Sequence, residues 1–142
     1  DDIIKIQNKI DCNKNSALFK LNSDTKIYNI QPLQLCEDIF DFKLREIVYI
    51  NTDSITVNYV LQYPIDSLKM VLNNHLRNTN NDRNYPSDEE KRLISINVDS
   101  TKNIIETKKL LLKIITNINE LNIKTNFSFM FESNGIIRVI EE

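Results

Sequence analysis

A chain of 142 residues is long enough for one domain with its own core, and a formal net charge of −2 lacks the basic excess of a general nucleic-acid binder. Its single glycine excludes the recognised P-loop, dinucleotide and G-x-S-x-G motifs, each of which needs at least two glycines in a short span. No apolar run approaches the roughly 18–20 residues that cross a bilayer.

The 22 Ile, 20 Asn and 13 Lys against one Ala and one Gly follow the codon bias of an AT-rich genome, so many of the asparagines need no functional reading. The start at Asp1, without Met, is expected of a processed chain or of part of a larger protein. Cys12 and Cys36 fit one disulfide or two buried thiols equally well, which leaves the compartment open.

Residues 1–10 read as a strand or as the end of a helix, so 1–15 is treated as a flexible or helical lead-in to a single domain over 1–142. Strands follow at "ALFKLN" and "KIYNI". "QPLQLCEDIFDFK" reads as a helix with Pro32 in its first turn and Glu37, Asp38 and Asp41 on its solvent side. "REIVYI" and "ITVNYVLQY" are the next two strands; in the second, Ile55, Val57, Tyr59, Leu61 and Tyr63 alternate with Thr56, Asn58, Val60 and Gln62. Pro64 opens a helix, "PIDSLKMVLNNHLRN". The polar stretch 78–90 is expected to be a mobile surface loop.

"KRLISINV" is a strand with Ile94, Ile96 and Val98 inward. A long helix over about 101–121 follows, capped by Asp99 or Ser100, with an apolar arc of about 220°. That arc is wider than one sheet face requires, and it is expected to meet a second helix or a partner chain. In "TNFSFMFESNGIIRV", Phe127, Phe129 and Phe131 alternate with Ser128, Met130 and Glu132, and Asn134-Gly135 signals a hairpin whose return is "IIRVI". The expected fold is α+β: a largely antiparallel sheet of about 6–8 strands with about three helices on one face, a two-layer sandwich.

The chemistry-bearing residues are few. His75 is the only imidazole and shares a helix stripe with Leu68, Val71 and Leu72, the pattern of a core-edge histidine. A zinc site would have to gather Cys12, Cys36, His75 and a carboxylate with no close ligand pair, so no metal site is assigned. Glu37, Asp38 and Asp41, and then Asp88, Glu89 and Glu90, read as solvated acidic surface rather than paired catalytic acids. Tyr59 and Tyr63 read as core, and Lys102, Lys109 and Lys113, interleaved with Glu106 and Glu120, as a solvated helix face. No catalytic residue and no cofactor is assigned.

Elimination therefore favours a non-enzymatic protein–protein interaction or assembly domain, part of a larger protein, with a protein partner or a second copy of itself. The surplus apolar residues name the candidate surface: Leu110, Ile114, Leu121, Met130, Ile137 and Val139. The alternatives are a carboxylate-based enzyme, with or without a divalent metal, and an RNA- or ribosome-associated domain.

Overall fold

The computed structural model describes residues 19–30, 41–99, 101 and 103–133. The expected N-terminal strand, the body of the helix that opens at Pro32, and the return strand of the C-terminal hairpin lie outside the described residues.

The first described element is a hairpin of β1 (Phe19–Asn22) and β2 (Ile27–Ile30), paired antiparallel with Leu21 opposite Tyr28. Residues 41–43, expected to end a helix, are not helical, and Lys43 is extended where it leads into a single 3-10 turn, Leu44–Glu46. The buried Glu46 holds this entry in place by accepting from the Lys43 N–H at 2.8 Å.

A five-stranded sheet follows. β3 (Ile47–Ile50) and β4 (Ser54–Val57) are joined by a turn in which Asn51 Oδ1 accepts from the Asp53 and Ser54 N–H groups. The alternating run expected as one long strand is in fact two, β4 and β5 (Leu61–Pro64). Between them Asn58 and Tyr59 both take positive φ, 47° and 62°, and the Val60 N–H donates to Val57 O. Paired positive φ values define the turn whose twist suits a hairpin. Asparagine tolerates that conformation; tyrosine rarely does, which is why no turn signal is visible in "VNYV".

A 3-10 turn (Ile65–Ser67) leads into α1 (Leu68–Arg77), which ends on Asn78 in the left-handed conformation. β6 (Leu93–Val98) lies parallel to β3, α2 (Ile104–Glu120) returns the chain, and β7 (Ser128–Ser133) lies parallel to β6. The strand order is β5-β4-β3-β6-β7, so the sheet is mixed rather than largely antiparallel, and two α-helices rather than three are described. Parallel neighbours need a crossover, which α2 supplies between β6 and β7. The helix cap differs as well. Asn103 Oδ1 accepts from the Ile105 N–H, while Asp99 folds back on Thr101.

Register places Val48, Ile50, Ile55, Val57, Ile94, Ile96, Phe129 and Phe131 on one sheet face. Both helices and the inner residues of the β1–β2 hairpin join that face in a single core. Lys69 and Glu120, 2.9 Å apart, tie α1 to α2 at the surface. The segment expected as a mobile loop is built around an anchor. Tyr85 is 2% exposed, and Asn78 Nδ2 donates to Asp82 O and Pro86 O on either side of it. No helix among the described residues is long and apolar enough to cross a membrane.

Candidate functional site

The face of the sheet turned away from the helices has two different halves. At one end Ile47, Leu93 and Met130 form a small apolar cluster, with Phe42 and Tyr49 packed against it. Lys91 covers Phe42, its Nζ 5.5 Å from the ring centroid, and also pairs with Asp41 at 2.9 Å. At the other end the same-face positions are polar, and there the surface sinks into a cavity of about 350 Å³.

Register builds the floor of this cavity. Gln62 pairs with Thr56, Thr56 with Tyr49, and Tyr49 with Ser95, which makes one row across four strands. One step along, Asn97 pairs with Glu132. Tyr59 rises beside the cavity from the β4–β5 turn, its ring edge-on to Tyr49 with centroids 6.4 Å apart. It is 44% exposed, which overturns its expected place in the core; Tyr63 is half-buried against the core as expected. The positive φ at Tyr59 sets this placement, because the turn ends the alternation that would have carried the side chain inward.

The electrostatics of the cavity differ from those of an open surface. Burial pushes the Glu132 carboxyl above the usual carboxylate range, an effect that a hydrogen bond from Ser95 only partly opposes. Burial, with Glu132 nearby, raises the Tyr49 phenol to about 12. Asn97 Oδ1 is buried without a hydrogen-bond partner among the described residues. The cavity therefore holds a half-buried acid, an unused carbonyl acceptor, hydroxyl groups and two aromatic rings. Polar groups left without partners in a partly dry concavity are what a ligand with matching donors satisfies.

The expected surface residues lie elsewhere. Leu110 and Ile114 are buried in the chain's own core, and Leu121 is half-buried against it. The wide arc of α2 is thus largely covered by α1 and the sheet, leaving Ile104 and Ile105 exposed at the helix start. Met130 is buried in the small cluster beside Phe42, and Ile137 and Val139 lie outside the described residues.

His75 is completely buried rather than at the core edge. Neither ring nitrogen has a well-formed hydrogen bond among the described residues, and burial holds its pKa down at about 3, with a backbone contact from Leu93 offsetting only part of the effect. The imidazole is therefore neutral and sealed from the cavity. Of the first acidic group only Asp41 is described; it is exposed, and its neighbour Lys91 lowers its pKa. Asp88, Glu89 and Glu90 are exposed loop residues, with Asp88 Oδ1 accepting from the Glu90 N–H. Among the described residues no group of three potential metal ligands comes together.

Comparison of the chain with protein-family models, with curated proteins and with solved structures finds no match.

Proposed function

We propose that this chain is a non-enzymatic protein–protein interaction domain that receives its partner on the sheet face opposite the helices. One observation carries the reading: that face combines a polar cavity of about 350 Å³ with a half-exposed aromatic rim at Tyr59, while most of the apolar surface of α2 is already covered from within. Aromatic side chains at the edge of a polar concavity are favoured contact groups, since they bury large area at low entropic cost.

Site-specific photocrosslinking in cells that make the protein tests this. A benzophenone side chain placed at Tyr59 or Gln62, on the cavity rim, should yield one discrete protein adduct. The same group at Lys113 or Thr116, on the exposed side of α2, should yield none. Adducts from the helix positions and not from the rim would reverse the assignment of the docking face. An adduct with the mass of two copies of this chain would identify self-association as the form the interaction takes.

A further inference from the structure

The cavity has a chemical preference that follows from its lining. Among the described residues its one ionisable acid is Glu132, and its other lining side chains that titrate are the phenols of Tyr49, from β3, and Tyr59, from the β4–β5 turn. The groups acting on the Glu132 carboxyl are its own burial and the Ser95 hydroxyl; no lysine or arginine among the described residues is paired with it. Its cross-strand partner Asn97 carries an acceptor, Oδ1, that is buried and has no partner among the described residues. Two acceptors, one of them anionic, thus sit beside two aromatic rings packed edge to face.

Each of these features selects the same kind of guest. A carboxylate gains most from a charged donor, because charge-assisted hydrogen bonds are roughly twice as strong as neutral ones. Aromatic faces attract a cation through the ring quadrupole. An anionic guest would be repelled by Glu132, and an apolar one would leave its carboxylate without a counter-charge and the Asn97 carbonyl without a donor.

We infer that the cavity over Asn97 and Glu132 is a receptor for a cationic side chain, a lysine or arginine carried by the protein partner. The inference rests on the docking face proposed above, and it specifies what the partner presents there. The raised Glu132 pKa is what burial produces where no described cation stands opposite the carboxyl. Binding should accordingly fade on acidification at a pH above that of an ordinary glutamate.

The test is an amide-shift titration by NMR of the full chain with the tripeptide acetyl-Ala-Lys-Ala-amide. Its counterpart carrying norleucine, which keeps the alkyl stem without the ammonium, is the control. The lysine peptide should give saturable shifts centred on Tyr49, Ser95, Asn97 and Glu132, and the norleucine peptide should give none. Glu132→Gln should weaken binding by about tenfold or more. Asn97→Ala should weaken it less, and the dispersion of each variant's spectrum reports that it is folded. Equal responses to the two peptides, no saturation with lysine, or unchanged affinity in Glu132→Gln would overturn the inference. Butylamine separates the two readings. If it binds as tightly as the lysine peptide, the cation site stands and peptide docking there falls. If rim crosslinks form while neither amine nor peptide binds, docking stands and the cation site falls.

Discussion

Acidification from pH 7 to pH 4.5 should lower the stability of this protein by about 2–3 kcal/mol through His75 alone, and His75→Leu should abolish that part of the loss. The unfolded chain carries an ordinary imidazole, with a pKa near 6.5, whereas burial holds the folded one at about 3. Between those values the unfolded state binds a proton that the folded state refuses. The contribution to stability is therefore complete above about pH 6.5 and disappears progressively as the pH falls toward 3. Glu132 acts in the opposite sense, since a carboxyl whose folded pKa is raised binds its proton more readily in the folded state. It offsets some of the loss in the wild type and in the variant alike. Leucine has nearly the volume of histidine, and Leu68, Leu72 and Leu76 on the same helix already pack into this core. At pH 7 the variant should be at least as stable as the wild type, because two buried nitrogens without well-formed hydrogen bonds are removed. Urea unfolding of both proteins at pH 7 and 4.5 measures the difference. An equally steep acid dependence in His75→Leu would mean that the histidine is not the group refusing the proton.

Tyr85→Ala should cost about 3–5 kcal/mol, the range for truncating a fully buried large aromatic residue. By composition alone the segment 78–90 is solvated chain, and a substitution in it would cost under about 0.5 kcal/mol. The structure gives a different account. Tyr85 is buried in the main core, Asn78 and Asp82 exchange hydrogen bonds across the turn that presents it, and Asn58 Nδ2 reaches Asn84 Oδ1 from the β4–β5 turn. Arg83→Ala, two residues away and exposed, should lie within about 0.5 kcal/mol of the wild type. Urea midpoints for the two variants decide the matter, and equal small effects would return the whole segment to solvent.

Much of the architecture was legible in the residue pattern, and the failures have physical causes. Period-two alternation correctly sorted Ile55 and Val57, Ile94 and Ile96, and Phe129 and Phe131 to one face, because side-chain direction in a strand depends only on local geometry. Strand direction is not local. β6 is buried on both sides, and "LISINV" carries the nearly continuous burial of a parallel interior strand, with α2 supplying the crossover that parallel pairing needs. That signal was available in the strand–helix–strand order. The break at Asn58-Tyr59 was not, since it relies on a tyrosine with positive φ where hairpins ordinarily place glycine.

The cavity was the least legible feature. Thr56, Ser95, Asn97 and Glu132 each occupy the polar half of an alternating strand, and singly each reads as a residue facing water. Only the cross-strand register brings them into adjoining rows, and register is a property of pairs of strands rather than of any one segment. The apolar arc of α2 misled in the opposite way. Its width is real, but α1 and the sheet cover most of it, so surplus hydrophobicity along a helix did not translate into surplus surface.

The proposed docking surface is the cavity face of the sheet and not the helix layer. Hydroxyl-radical footprinting tests it most directly, by comparing the purified chain with the protein in the cells that make it. Tyr59, 44% exposed on the cavity rim, should lose most of its reactivity in the cell, while Met70, Ile104 and Ile105, exposed on the helices, should react as they do in the purified protein. Protection of the helix residues with Tyr59 unchanged would contradict the claim.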